Sequence, residues 1–184
     1  MAVINRITEQ EYRDLALEEP RLELWDGEPR EKPTMSMKHE GVAFYLGHSL
    51  ATQLDRGLFW ISVNGGKARI SGSTYFIPDV MVVQAELVTP YRDDPRALAA
   101  WSEPLLLVVE VWSPSTDGYD QARKLNAYKE RGDQEIWYIH PYERTLTAWR
   151  KQPDGSYHEA VYAGGVVPAE ALPGVVIDLD ELLS

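Results

Sequence analysis

Two carboxylates lie in segments that otherwise have the pattern of buried strands, and together they could hold a divalent cation. Glu110 interrupts residues 105–112, where apolar side chains fill odd and even positions alike, as in a strand covered on both faces. An ionised carboxylate there is costly unless a metal, a cation or several hydrogen bonds offset its desolvation. Asp79 follows Pro78 and opens a second buried-looking run, residues 80–83. If the two strands are neighbours, the pair offers the oxygen ligands that suit Mg²⁺ or Mn²⁺.

Both acids also have other interpretations, which the residues alone leave open. Asp79, next to a proline, could make only turn hydrogen bonds. Glu110 could belong to a buried salt bridge. The two could also be the acid pair of a glycoside hydrolase. A lysine between the acids and a strict need for a divalent cation would count against that last alternative.

Lys124 is the candidate third member of such a site. It lies on a predicted helix, residues 119–131, at the edge of an apolar stripe formed by Ala122, Leu125 and Tyr128. The helix directly follows the strand that contains Glu110, so we expect it to pack back on the sheet and to bring the ammonium group to the strand end. Asp120, four residues earlier, could pair with Lys124, and an ordinary exposed i,i+4 pair is the alternative.

The order of elements predicts a single α/β domain (α+β-like) with a mixed central sheet flanked by helices. Residues 1–184 form this domain, with residues 1–20 as an N-terminal helical segment and residues 151–184 as a C-terminal closing segment. Apolar periodicity and turn residues predict helices at 8–19, 37–56, 119–131 and a short one near the C-terminus. The predicted strands are 21–25, 59–63, 67–70, 75–83, 105–112, 135–140, 145–150 and 157–162.

Composition limits the classes of function. The formal net charge of -11 opposes broad, non-specific binding to nucleic acid, so any site for phosphate must be neutralised locally. The chain has no cysteine, which excludes disulfides and thiolate chemistry and makes a cytoplasmic location the simplest expectation. No apolar stretch approaches the length of a membrane span, and no apolar signal core follows Met1. We therefore expect no membrane partner.

Four motifs occur in an order that resembles a known family. They are Ile-Pro-Asp-Val-Met-Val-Val at 77–83, Leu-Val-Val-Glu-Val-Trp-Ser-Pro-Ser-Thr at 107–116, Tyr-Asp through Lys124 to Tyr at 119–128, and Glu-Ile-Trp-Tyr at 135–138. The series resembles the restriction endonuclease family, once a domain of unknown function, within the PD-(D/E)xK nuclease superfamily. The resemblance covers roughly residues 22–150, and the C-terminal segment more weakly.

The resemblance implies a restriction-endonuclease-like fold and assigns the site residues. Asp79 and Glu110 would be the acidic metal ligands, and the main-chain carbonyl of Val111 would complete the metal shell. The sequence departs from the superfamily pattern two positions after Glu110, where Trp112 replaces the lysine. In the resembled family the lysine has moved to the following helix, which corresponds to Lys124.

The implied activity is metal-dependent hydrolysis of phosphodiester bonds in nucleic acid, with DNA as the expected substrate. Mg²⁺ or Mn²⁺ would be the cofactor, and Lys124 would orient the attacking water or stabilise developing negative charge. A homodimer or a higher homo-oligomer is expected, because twofold symmetry suits two cuts on a duplex. A non-catalytic binding or scaffold protein on the same fold is the alternative, since fold does not fix function.

Four further residues could assist the site, and each has a simpler interpretation. His39 could border the site, although a solvated helix start is favoured there. Glu28 could be an auxiliary acid or an ordinary surface residue. Asp120 and Ser113 could support the site by hydrogen bonding, or serve as a surface pair and a helix cap. Several basic residues could follow a phosphate backbone, with a solvated surface as the default: Lys67, Arg69, Arg123, Lys129 and Arg131.

Overall fold

The computed structural model describes residues 6–114 and 118–184. The helices are α1 (Glu9–Glu18), α2 (Met37–Gln53), α3 (Gly118–Arg131) and α4 (Leu179–Leu182). The strands are β1 (Leu22–Trp25), β2 (Glu28–Glu31), β3 (Phe59–Val63), β4 (Lys67–Ser71), β5 (Thr74–Phe76), β6 (Val80–Gln84), β7 (Ala100–Trp101), β8 (Leu107–Val111), β9 (Glu135–His140), β10 (Thr145–Lys151), β11 (Tyr157–Tyr162), β12 (Val166–Pro168) and β13 (Val176–Asp178).

A mixed sheet of six strands forms the centre of the described part of the chain, in the order β11-β10-β9-β8-β6-β3. Strands β8 and β9 are parallel and are joined by α3, whereas the other pairs in this sheet are antiparallel. A parallel pair needs such a crossover connection. The predicted fold class, a mixed sheet flanked by helices, is confirmed.

Strand β8 is covered on both faces, as its unbroken apolar pattern predicts. Leu107, Val109 and Val111 pack in one core, which also contains the buried face of α2 and the apolar side chains of the C-terminal segment. Val108 points the other way, into a second core with Tyr128 of α3. Glu110 shares the face of Val108, because side chains alternate along a strand. The charged residue is therefore directed at α3.

A second sheet, with the order β2-β1-β5-β4-β7 within the described residues, packs beside the first. The prediction of one strand over residues 75–83 is wrong. Strand β5 ends at Phe76 in the second sheet, and β6 begins at Val80 in the first. Pro78 has no amide proton to donate to a ladder, so the chain leaves one sheet and enters the other there. Asp79 therefore lies at the crossing point between the two sheets.

The helices end where local chemistry predicts, with one exception. Thr8 and Glu11 form a capping box at the start of α1, as their spacing predicts. Helix α2 begins at the Ser36 cap and ends at Gln53, three residues before the predicted end, because Leu54 is extended. Residues 115–117, which directly precede α3 and include capping residue types, lie outside the described residues. Of the helices described, none is long and apolar enough to cross a membrane.

Helix α2 lies close to the edge strand β3 because it carries a glycine at the contact. A Cβ on Gly47 would lie 2.5 Å from Cγ2 of Val63, too close for any larger residue without a shift. This contact holds the middle of α2 close to the first sheet.

Candidate active site

The fold brings the three sequence-predicted residues into one cleft. Asp79, Glu110 and Lys124 all line a small cleft of about 50 Å³ where the two sheets meet α3. Val111 and Asp120 line it too. Strands β6 and β8 are neighbours, as the metal hypothesis requires, with Val80 opposite Val109.

Asp79 is 1% exposed, and both of its carboxylate oxygens have partners. Oδ1 accepts a hydrogen bond from Nζ of Lys32 at 2.6 Å. Oδ2 accepts one from the Val111 amide at 2.6 Å and lies 2.9 Å from Nε2 of His39. Burial alone would raise the pKa of Asp79, but Lys32 and His39 outweigh it and hold the pKa well below its usual range. Asp79 is therefore a charged carboxylate.

Glu110 is less well compensated. Its Oε1 accepts a hydrogen bond from the Tyr128 hydroxyl at 2.6 Å and lies 3.4 Å from Nζ of Lys124. Burial raises the pKa of Glu110, and Lys124 opposes this, but the negative charge of Asp79 adds to the rise, so the net shift is upward. A cation placed beside Glu110 would favour its charged form.

Lys124 is a buried ammonium group between two acids. Its Nζ lies 2.9 Å from Oε1 of Glu23 as well as 3.4 Å from Glu110. Burial alone would lower the pKa of Lys124, but Glu110 and Glu23 outweigh it and raise the pKa above its usual range. In the metal-free protein Lys124 is thus a protonated hydrogen-bond donor. Asp120 pairs with Arg30 at 4.0 Å, not with Lys124.

The sequence did not single out Glu23, although a signal was present. Glu23 is 4% exposed on β1 and accepts hydrogen bonds from the Ile77 amide at 2.7 Å and Trp25 Nε1 at 2.9 Å. Burial would raise the pKa of Glu23, but Lys124 and the Ile77 amide lower it overall. The signal was a charge within an otherwise apolar strand, the same anomaly that singled out Glu110.

Lys32 was also missed, and nothing in its sequence surroundings marks it. It follows β2 in a polar stretch, yet it is 6% exposed and lines the same cleft. Only the tertiary structure brings it to Asp79, 47 residues further along the chain.

The auxiliary residues divide between the site and the surface. His39 is fully buried against Asp79, so the interpretation of a solvated helix start is wrong for this residue. Ser113 is buried two residues beyond Val111. Glu28 is partly exposed and pairs with Arg30 at 3.2 Å. It does not line the cleft. The Trp112 ring stacks on His140 with centroids 4.4 Å apart, so its contact is within the protein.

The cleft is lined by oxygen atoms of the types that hard divalent cations bind. In residues 6–114 and 118–184, no group of three or more His, Cys, Asp or Glu side chains is arranged to hold a metal. The Trp112 amide donates to the Ile139 carbonyl, on the edge of β8 that faces β9. The Val111 amide donates to Asp79, on the opposite edge of β8. In an extended strand the carbonyl of a residue points to the same edge as its amide, so the Val111 carbonyl is directed to this side. Two carboxylates and a carbonyl suffice for Mg²⁺ or Mn²⁺, which keep water and phosphate as further ligands.

The basic residues that could have bound along a phosphate backbone have partners within the protein instead. Lys67 is buried and donates to the Pro20 carbonyl at 2.8 Å. The others have partners as well: Arg69 with Glu9, Arg123 with Asp26, Arg131 with Asp133, and Lys129 over the ring of Trp149. These residues therefore do not form a free basic track.

Comparisons with known proteins agree with this fold. The model of a family described as "Uma2: Putative restriction endonuclease" matches residues 9–180. A crystal structure from Anabaena variabilis, described as that of "a putative nuclease belonging to DUF820", is similar with a TM-score of 0.77. The two chains are 18% identical, and the similarity covers 96% of this chain and 97% of the other. No curated protein matches the chain.

Proposed function

The chain belongs to the Uma2 family of restriction-endonuclease-like proteins, and we propose that it is a metal-dependent endonuclease that hydrolyses phosphodiester bonds. One observation carries this proposal: Asp79, Glu110 and Lys124 line a single cleft. Two acids that can hold a cation and one ammonium group that can contact a phosphate are the parts that this reaction needs.

Asp79 and Glu110, with the Val111 carbonyl, would hold Mg²⁺ or Mn²⁺. A bound ion would neutralise phosphate charge and lower the pKa of a water molecule. His39 and the Val111 amide orient Asp79 through its Oδ2, and Tyr128 orients Glu110 through its Oε1. These bonds hold both acids in fixed positions before any ligand arrives.

Lys124 would act on the substrate as a charge, not as a base. Its pKa is raised in the metal-free protein, so it would enter the reaction protonated and would donate hydrogen bonds to a phosphate oxygen as negative charge develops. Glu23 holds Nζ of Lys124 at 2.9 Å and so positions it. In this role Lys124, on α3, replaces the lysine that the superfamily pattern places two residues after Glu110.

We also propose DNA as the substrate, a homodimer as the acting form and the cytoplasm as its location. Twofold symmetry would place one cleft on each strand of a duplex, and the lack of cysteine agrees with a reducing compartment. A glycoside hydrolase is disfavoured, because pockets for small organic ligands usually enclose about 300 Å³ or more. This cleft encloses about 50 Å³, and Lys124 contacts one of the two acids.

A non-catalytic binding protein on this fold is the second candidate. The observation in its favour is electrostatic: the chain has a net charge of -11, and the basic residues near the site are paired within the protein. Such a protein would keep the cleft but not cut its ligand.

A cleavage assay separates the two candidates. Single-stranded DNA, duplex DNA and RNA are incubated with the protein in Mg²⁺, in Mn²⁺ and in EDTA. We expect metal-dependent cutting, with losses of about 100-fold or more in Asp79→Asn, Glu110→Gln and Lys124→Met. Glu103→Gln is the matched control, because this exposed acid precedes β8 at the end away from Glu110.

Circular dichroism of each variant shows whether it is folded. Equal cutting by the double variant Asp79→Asn/Glu110→Gln and by the wild type would refute the site. Binding without cutting in every metal would favour the second candidate.

A further inference from the structure

Lys32 is a second buried cation in the cleft. It bonds to a carboxylate oxygen that the proposed metal would need as a ligand. Its Nζ donates to Oδ1 of Asp79 at 2.6 Å and to the Ile77 carbonyl at 2.8 Å. The amide oxygen of Asn64 lies 3.5 Å away. The ammonium group is therefore surrounded by a carboxylate, a carbonyl and an amide oxygen, which are also the ligand types of hard cations.

The hydrogen bonds of Asp79 leave one direction open to a further ligand. Each carboxylate oxygen can accept about two hydrogen bonds. Oδ2 already meets the Val111 amide and Nε2 of His39. Oδ1 meets only Lys32 in the described contacts, so one acceptor position remains there. A cation that binds Asp79 must use the oxygen that Lys32 holds.

Lys32 and a divalent cation on the same oxygen would repel each other strongly. Both charges would lie in a site shielded from water, where screening is weak. Lys32 places a positive charge 2.6 Å from Oδ1 of Asp79 within the cleft. It thus supplies to Asp79 the charge that a metal would supply, whereas Glu110 lies 3.4 Å from Nζ of Lys124.

We propose that Lys32 is an internal counter-ion that competes with the divalent cation for Asp79. Metal binding then requires the Lys32 ammonium to withdraw from Oδ1, which weakens metal affinity while keeping the metal-free protein folded. The inference rests on the proposed metal site but not on cleavage. Lys32 would therefore lower the metal affinity of the site without contacting the substrate.

Metal affinity, measured without nucleic acid, tests this competition. Mn²⁺ is titrated into the wild type, Lys32→Met, Lys32→Arg and Asp79→Asn, and is followed by calorimetry and by the free-ion electron paramagnetic resonance signal. We expect Lys32→Met to bind Mn²⁺ about tenfold more tightly than the wild type, because one repelling charge is removed. Lys32→Arg keeps the charge and should stay near the wild type, and Asp79→Asn should bind most weakly.

A measurement on the wild type covers the case in which Lys32→Met fails to fold. Nuclear magnetic resonance of lysine Nζ, with the Lys32 signal assigned from Lys32→Arg, reports on its bonded ammonium group. We expect this signal to shift or to exchange faster with solvent when Mg²⁺ is added. An unchanged signal at saturating Mg²⁺ would overturn the competition.

The outcomes distinguish this inference from the proposed function. Equal or weaker affinity in Lys32→Met, beside a measurable wild-type affinity, overturns the inference and leaves the metal site intact. Loss of cleavage in Lys32→Met at saturating metal with unchanged affinity would make Lys32 a substrate contact instead. Absence of Mn²⁺ binding in every variant overturns both the inference and the metal site. Tighter binding without any cleavage supports the inference and counts against the nuclease.

Discussion

At the scale of single residues, the cleft has an excess of negative charge. Three buried carboxylates, Glu23, Asp79 and Glu110, meet two buried ammonium groups, Lys32 and Lys124. Glu23 and Asp79 have lowered pKa values, whereas the pKa of Glu110 is raised. The excess therefore falls on Glu110. A divalent cation at this position would more than offset this single negative charge and would leave positive charge for a phosphate ligand.

Removal of the Glu23 charge should destabilise the protein, because Glu23 accepts hydrogen bonds from three partners: Nε1 of Trp25, the Ile77 amide and Nζ of Lys124. In Glu23→Gln the Lys124 ammonium keeps Glu110 as its acidic partner among the described residues. We expect a loss of about 3 kcal/mol in the free energy of unfolding, typical of a buried ion pair that loses one member. Urea unfolding followed by tryptophan fluorescence measures it.

The control for this prediction is Glu31→Gln, an exposed acid at the end of the neighbouring strand β2. Its change should stay within about 0.5 kcal/mol, as for most surface substitutions. A Glu23→Gln variant as stable as this control would show that Glu23 does not anchor Lys124.

At the scale of elements, α1 is tied to the second sheet by a charged contact. Glu9 at the start of α1 accepts hydrogen bonds from Nε of Arg69 at 2.7 Å and from the hydroxyl of Tyr75. Arg69 and Tyr75 lie opposite each other on β4 and β5. The contact therefore joins the N-terminal helix to two strands of the sheet that also carries Glu23.

This contact predicts a specific pH dependence. Arg69, with a further contribution from Tyr75, lowers the pKa of Glu9 from 4.5 to about 2. Since the folded-state pKa is the lower one, the charge of Glu9 stabilises the fold above pH 4.5, and this stabilisation is lost as the pH falls towards about 2. Glu9→Gln should cost about 0.5–1 kcal/mol at neutral pH, because the pair is one-third exposed and screened by water.

The measurement is urea unfolding of wild type and Glu9→Gln across this pH range. The difference in stability between them should shrink steadily below pH 4.5. Glu18→Gln, at the exposed C-terminal end of α1, is the matched control and should lack this trend. A difference that stays constant to about pH 2 would contradict the assigned contact.

At the scale of the whole molecule, the net charge of -11 constrains how nucleic acid could bind. The basic residues of α3 and β4 are paired with acids, carbonyl oxygens or aromatic rings inside the protein. Binding should therefore depend on few phosphate contacts and on a bridging metal.

Fluorescence anisotropy with a labelled duplex at several salt concentrations tests this expectation. We expect weak binding in EDTA, tighter binding in Ca²⁺ as a non-hydrolysing substitute, and a slope of log K against log salt no steeper than about -3. A steep slope of about -6 or more in EDTA would reveal a broad basic surface and contradict this charge argument.

Much of the fold follows from local pattern, and the failures have physical causes. The N-terminal helix and the doubly covered strand β8 each depend on a pattern of residues that are close in the chain, so the sequence predicted them. The division of residues 75–83 between two sheets was missed, because a proline between two apolar runs fits either one edge strand or two strands. Only the partners of each run distinguish these cases.

The sequence by itself determined which residues are anomalous: Glu110 in an apolar strand, Asp79 beside a proline, and Lys124 at the edge of a helical stripe. When the neighbours of a charged residue in the chain form a buried element, the charge is buried with them and its desolvation is costly. The local pattern therefore reveals such a residue. The tertiary structure alone decided what compensates each charge. Lys32, His39 and Glu23 reach the cleft from distant segments, and electrostatic partners are fixed by distance in space, which sequence spacing does not encode.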